Sequence, residues 1–402
     1  MRQVNIMDAA GAGRLKQYFE GIGKVLGSDE RRASFALYGQ GLMSSAERKS
    51  VEPLAAHGCI DPAKADAAHQ RLLHFVGVSP WSDRAVRREA ADYALEAMTE
   101  HGPIEAWIVD DTGFLKQGQH SVGVQRQYTG SAGKVTNCQV GVSLVVATET
   151  DQLPIDFELY LPESWASDPA RREEARIPDE VQFKTKPELA LEMIKRAVRE
   201  GIPKGVVLGD AGYGSSSDFR RDLRALGLRY IVGVQPTTKV QPVGQNARPK
   251  GKPASVRDLA TDLNAKGAFR RCTWRAGTRR DLSARFAVIR VQPSDDEEVS
   301  LLIEWRDGET EPANYFFASL PGKLPKKELI RVAMQRWRIE RTYEDLKGEL
   351  GLDHYEGRRF PGWHHHVTVA LTCYAFIVAE RSRRFPPSTT RSLVHLSNQV
   401  AA

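Results

Sequence analysis

Three segments of this sequence set carboxylates where a cation could use them. Val109-Asp110-Asp111-Thr112-Gly113-Phe114 carries two acids at the end of an apolar run. Val206-Val207-Leu208-Gly209-Asp210-Ala211-Gly212-Tyr213-Gly214 carries one, among glycines that permit a sharp turn. The third, Arg336-Trp337-Arg338-Ile339-Glu340-Arg341-Thr342-Tyr343-Glu344-Asp345-Leu346-Lys347, reads as a helix. At about 100° per residue, Glu340 lies roughly 40° and Lys347 roughly 20° from Arg336, with Tyr343 in the same sector and about 16 Å of axis between the two cations. Hard oxygen ligands select divalent ions, and phosphoryl transfer with two ions about 3.5 to 4 Å apart needs ligands that reach both. Three acids on two strand ends and a helix could supply them, with Arg336 and Lys347 gripping phosphates on either side. Each segment alone has a plainer reading: an Asp pair in a loop, an Asp capping the next helix, an ion-pair helix on the surface. Their combination is what favours chemistry. Neighbouring strand side chains point to opposite faces, so only one of Asp110 and Asp111 can serve.

The elements that must hold these residues follow from periodicity. Residues 1 to about 95 read as helical and basic, with Ser45-Ala46-Glu47-Arg48-Lys49-Ser50 and Ser82-Asp83-Arg84-Ala85-Val86-Arg87-Arg88 each opening on a capping serine. Strand signals follow at Ile104 to Val109, Asn137 to Ala147 and Gln152 to Tyr160. An extended stretch is expected around Pro162 to Pro178, then a helix from Pro187 to Glu200 closed by Gly201. Gly205 to Asp210 reads as a buried strand, Ser216 to Leu226 as a helix and Tyr230 to Val234 as a strand. Strand, strand, strand, helix, strand, helix, strand is the order of an α/β, ribonuclease H-like fold, a mixed sheet with flanking helices. Residues 236 to 254 suggest a mobile basic connector, and Arg270 to Trp274, Ala284 to Gln292 and Val299 to Trp305 the strands of a β-rich insertion. Helix returns from Lys326 to about Gly351, where Val332, Ile339, Leu346 and Leu350 form an apolar seam, and again from Trp363 to Arg381.

The bulk properties narrow the partners. With 402 residues the chain can build two or three domains. Lys and Arg number 57 against 51 acids and the pI is about 9.0, which favours a polyanionic partner. No apolar run is long enough to span a bilayer and no secretory signal opens the chain, which points to a soluble intracellular protein with no membrane partner. Cys59, Cys138, Cys272 and Cys373 form no Cys-x-x-Cys pair and read as packing thiols. Trp363-His364-His365-His366 is no metal site, because consecutive helical residues point in different directions.

Over about residues 100 to 380 the chain resembles the bacterial insertion-sequence transposases of the DDE superfamily. The likeness is to the group whose third acid sits in a Tyr-x-x-Arg-x-x-x-Glu-x-x-x-x-x-x-Lys signature after a β-rich insertion. Arg336, Glu340 and Lys347 match that spacing. Ala333 stands at the signature Tyr position, and Tyr343 is the candidate to replace its hydroxyl. The resemblance puts Asp111, immediately before Thr112, in the first acidic motif and Asp210 in the second. Asp111, Asp210 and Glu340 are thus the expected catalytic residues and metal ligands, with Asp110 and Thr112 behind them. It further implies two Mg2+ ions per active site, with Mn2+ as a substitute, and DNA contacts from Arg336 and Lys347; Tyr343 and the basic Lys116 are added as candidate contacts. The implied partners are double-stranded DNA, as terminal inverted repeats and target, and a second copy in a homodimeric synaptic complex. The implied reaction is hydrolysis at the element's ends followed by joining of the 3′ hydroxyls to target DNA, in the bacterial cytoplasm and on the nucleoid when DNA is bound. The expected domains are a helical N-terminal DNA-binding region at 1–98, catalytic core at 99–235 and 323–384, the insertion at 236–322 and a tail at 385–402. Two other readings keep the same residues: a ribonuclease H-like nuclease, and a DNA-binding regulator that no longer cuts. The insertion and basic N-terminal region argue against the first, and the presence of all three acids against the second.

Overall fold

The computed structural model describes residues 9–58, 65–244, 251–275, 281–294, 296–321 and 324–384. The expected tail and residues 245–250 of the expected connector lie outside the described residues. In chain order the helices and strands are α1 (Ala9–Gly23), α2 (Asp29–Leu42), α3 (Val51–Gly58), α4 (Ala65–Gly77), α5 (Asp83–Thr99), β1 (Ala106–Leu115), β2 (Gln125–Thr129), β3 (Lys134–Ala147), β4 (Gln152–Tyr160), α6 (Glu163–Ala166), α7 (Pro169–Ala175) and α8 (Lys186–Arg199). There follow β5 (Val206–Gly209), α9 (Ala211–Gly214), α10 (Ser217–Ala225), β6 (Tyr230–Gly233), β7 (Lys239–Pro242), β8 (Ala254–Ser255), α11 (Val256–Ala265), β9 (Arg270–Arg275), β10 (Leu282–Pro293), β11 (Val299–Trp305), β12 (Asn314–Ala318), α12 (Lys326–Ala333), α13 (Trp337–Leu350) and α14 (Phe360–Arg384). The described residues divide into two compact units, one built from segments within 9–103, 111–185 and 339–384, the other from segments within 104–110 and 186–338.

In the first unit, Ser28 and Ser82 cap α2 and α5, each hydroxyl accepting from the amide three residues on. Ser45 to Ser50, expected as helix, is a loop. Lys49 turns inward there, and its ammonium donates to the carbonyls of Leu42, Ser44 (2.8 Å) and Glu349 (2.5 Å). The ends of α2 and α13 thereby gain a partner for carbonyls that a helix leaves unpaired. Strand β3 pairs antiparallel with β2 and β4. The Pro162 to Pro178 stretch coils into α6 and α7 rather than staying extended, with Asp168 accepting from two amides at the start of α7. Helix α14 is buried along most of its length and packs against α5, α2, α4 and β4. The contact of α14 with α5 and β4 carries a buried charge cluster. Arg87 reaches Asp83 at 2.9 Å, Asp156 at 3.4 Å, Glu158 at 3.8 Å and the Thr368 hydroxyl at 3.1 Å.

In the second unit, β1 pairs parallel with β5 and β5 with β6, while β12 joins β6 antiparallel. The order continues through β11, β10, β7 and β8, with β9 on β10. The strands expected as an insertion therefore extend the core sheet, Phe316, Phe317 and Ala318 lying against Gly233, Val232 and Ile231. Asp296, on the turn after β10, fastens them further by pairing with Arg220 (2.5 Å) and Arg224 of α10. The architecture is a mixed α/β sheet with flanking helices and a helical N-terminal region. The helix expected unbroken from Lys326 to Gly351 is α12, a single 3-10 turn at Met334–Arg336, and α13.

Candidate active site

Parallel strands covered on both faces are apolar throughout, and Ala106 to Val109 and Val206 to Leu208 are accordingly buried. Their register pairs Ala106 with Val206, Trp107 with Val207 and Ile108 with Leu208. Asp110 lies two residues beyond Ile108, within β1, and Asp210 two residues beyond Leu208, immediately after β5. Both thus follow the last paired residues of the parallel ladder, on the side where open α/β sheets bind ligands. Asp210 caps α9, accepting from the Gly212 amide at 2.8 Å. That short helix is drawn hard onto β6: a Cβ on Gly214 would lie 2.0 Å from the Gly233 carbonyl oxygen. Only glycine fits there, which accounts for one glycine of the Gly-Asp-Ala-Gly-Tyr-Gly run.

Asp110 has a cation on its face. Arg336 donates to its Oδ2 at 2.8 Å. Arg336 sits in the 3-10 turn, and the turn is pinned by a residue that the sequence did not single out. Glu105, buried just before β1, receives Arg331 at 2.8 and 3.1 Å and Gln335 at 2.7 Å. Burial pulls the Arg331 guanidinium down, but Glu328 and Glu105 outweigh it and hold it firmly charged. Glu105→Ala should cost about 2 kcal/mol, the scale of lost hydrogen bonds to a charged group, measurable by denaturant unfolding. The signal that could have found it is a lone carboxylate at the mouth of an apolar strand.

Alternation along β1 puts Asp111 on the face opposite Asp110 and Thr112. Thr112 and the following residues instead receive the signature lysine. The Lys347 ammonium donates to Thr112 Oγ1 at 2.8 Å, the Gly113 carbonyl at 2.7 Å and Ser131 Oγ at 3.2 Å, and lies 5.3 Å from the Phe114 ring centre. Burial lowers its pKa from the ordinary lysine value. Two expected DNA contacts are corrected. Tyr343 is buried, its hydroxyl 2.7 Å from Ser143 Oγ and its ring edge-on to Phe157, so it faces the interior. Lys116 donates to the Tyr355 carbonyl at 2.5 Å, tying down the segment before α14, and burial lowers its pKa.

Glu340 lies exposed in the first turn of α13, one turn beyond Arg336 in the chain. Among the described residues no group of three or more His, Cys, Asp or Glu side chains could hold a metal ion. The donor set at the strand ends is the Asp110 and Asp210 pair. Two carboxylates completed by water and phosphate oxygens are a usual environment for Mg2+, so these residues fit a divalent cation. The three histidines of α14 go separate ways, as expected. His366 lies 2.8 Å from the Tyr38 hydroxyl and 3.0 Å from the Gly351 carbonyl, and His365 stacks on Trp81 at 3.8 Å. His364 is buried without a hydrogen-bond partner, and burial pulls its pKa down to about 3.

A protein of Microchaete diplosiphon described as a probable transposase for insertion sequence element IS701 is 26% identical over 349 residues, covering 86% of this chain and 82% of its own length. The family model of the DDE superfamily endonucleases matches residues 21–281, a span that holds β1, β5 and both aspartates of the paired strand ends. The chain belongs to the DDE superfamily of endonucleases.

Proposed function

We propose that this chain is an insertion-sequence transposase that cuts DNA at the ends of its element and joins the freed 3′ hydroxyls to target DNA. Asp110, Asp210 and Glu340 would be the metal-holding acids. The observation that supports this reading is the parallel pairing of β1 with β5, after which both Asp110 and Asp210 follow, with Arg336 on Asp110. The M. diplosiphon relative, by its description a probable transposase, supports it. Mg2+ is the proposed ion, two per site, with Mn2+ able to replace it. Bound there, the ions would polarise the scissile phosphate and stabilise the attacking and leaving oxygens.

The chain's own groups do the rest. Asp110 and Asp210 bind and orient from the strand ends, while Glu340 joins them from α13 when DNA is engaged. Arg336 neutralises Asp110 in the free protein, and once the carboxylate is taken up elsewhere its guanidinium can turn to a DNA phosphate. Lys347 holds Thr112, Gly113 and Ser131 together and presents its charge beside the strand end. The DNA would be the terminal inverted repeats and the target, read in part by the N-terminal helices, with two copies bridging two ends. Asp111, placed first by the family likeness, stays outside the site.

The test is cleavage of duplexes carrying the inverted repeats that flank the gene, with Mg2+ and without it. Metal-dependent nicking at the repeat ends, followed by joining to a second duplex, is expected; cutting of generic duplex with no preference for the repeats would favour a simple nuclease. Binding should also weaken steeply as salt rises, roughly a thousandfold or more between 50 and 200 mM if six or more phosphates are contacted. A flat salt response would remove DNA as the main ligand.

A further inference from the structure

The hairpin of β2 and β3 plays no part in the reading above. Strand β2 ends the sheet order, so the hairpin has an open edge. Residues 125 to 137 include Arg126 and Lys134 and no acid. Among the described residues neither cation makes an ion pair. Arg126 and Tyr128 alternate onto one face, and the register sets Val135 directly across from Tyr128. Tyr128 is 63% and Val135 54% exposed, an apolar platform standing in water beside unpaired positive charge.

The other side of the hairpin is fastened. Thr129 closes so tightly on β1 that a Cβ on Gly113 would meet its hydroxyl at 2.1 Å. The Gln127 amide donates to the Cys138 carbonyl at 3.0 Å. At the turn, Ser131 meets the Thr112 hydroxyl at 3.1 Å and the Lys347 ammonium at 3.2 Å. The platform is therefore held rigidly against the strand that carries the site.

We propose that this face is a DNA contact, in which Tyr128 stacks on an unpaired base near the strand break while Arg126, on the same face, holds a flanking phosphate and Lys134, across from Thr129 at the end of the hairpin, adds positive charge along the backbone path. It rests on the transposase reading. Cations without acids complement a polyanion and would repel the same face of a second copy. An aromatic face bordered by positive charge is also how proteins hold single strands without regard to sequence. Tyr128 is followed within three residues by Ser131, on the turn that meets Lys347, so the stacked base would lie near the phosphate closest to that lysine.

The probes are a fluorescent duplex of arbitrary sequence with a three-nucleotide 3′ overhang carrying 2-aminopurine, and the same duplex blunt, each titrated with full-length protein in Ca2+. Tyr128→Ala should weaken overhang binding roughly 5- to 150-fold and abolish the 2-aminopurine signal change. Blunt-duplex binding should move less than about twofold, and Tyr128→Trp should retain both signals. Arg126→Ala with Lys134→Ala should weaken both probes and flatten the dependence on salt. Equal overhang binding by wild type and Tyr128→Ala, with matched circular dichroism, overturns the proposal. So does a Tyr128→Ala protein that loses self-association while holding the overhang unchanged, which would make the face a contact between copies. Wild-type protein that binds neither probe would instead overturn the DNA reading itself.

Discussion

Asp110→Asn should reduce metal-dependent strand cleavage by about a thousandfold or more, whereas Asp111→Asn should keep most of it. The size follows from what an amide cannot do: it carries no charge to hold a divalent ion, and losing one preorganised electrostatic group at a phosphoryl-transfer site costs on the order of 10²–10³ in rate. The contrast follows from strand geometry. Alternation along β1 sends Asp110 and Asp111 to opposite faces, and Asp110 is the one proposed as the partner of Asp210. Asp210→Asn and Glu340→Gln should match Asp110→Asn. Binding gives a second measurement: Mn2+ titrated calorimetrically into the DNA-bound protein should lose affinity with Asp110→Asn and retain it with Asp111→Asn. The opposite order in both assays would return the ligand role to Asp111.

The second large effect concerns stability. Arg87→Met should destabilise the fold by about 3–5 kcal/mol, because it strands Asp83, Asp156 and Glu158 as buried carboxylates with no cation between them. In a domain of this size that is roughly 10 °C or more of melting temperature. The pH dependence identifies the cause. Burial pushes the Asp83 carboxyl up, but Arg87, with His364 and His365, outweighs it and holds the group well below the usual range. A carboxylate depressed in the fold adds stability above its unfolded pKa, about 4, and loses that contribution as pH falls below it. Without Arg87 burial is opposed only by His364, His365 and the Arg84 amide, so Asp83 should take up a proton more readily than in the wild type. The gap between variant and wild type should then be smaller at pH 5.5 than at pH 7.5. A constant gap would mean lost packing rather than lost charge compensation.

What the sequence disclosed was whatever local pattern controls. The apolar runs before Asp110 and Asp210 announced strands, and Val332, Ile339, Leu346 and Leu350 are each buried, as the apolar spacing implied. What it withheld depends on partners distant in the chain. The choice between Asp110 and Asp111 turns on a register about a hundred residues away. Tyr343 shares a helical sector with Glu340 by arithmetic, yet Ser143 and Phe157 enclose it. That arithmetic also assumed a continuous helix, whereas Arg336 lies in a 3-10 turn that Glu105 clamps. Ser45 to Ser50 looked helical from its capping serine, but the inward Lys49 has more to gain from three carbonyls. Strand β2, polar and half exposed, gave no apolar alternation to read.

Because α14 is encased by α5, α4 and α2, the first hundred residues complete their interior only when residues 360–384 arrive. A nascent chain must therefore emerge from the ribosome through residues 360–384 before its opening helices can close on α14. A frameshift or nonsense codon upstream of Phe360 would release a product with apolar surfaces bare and Arg87 cut off from Thr368. Such fragments should be degraded rather than persist as competitors for the same DNA, which leaves the intact polypeptide as the form that can occupy it.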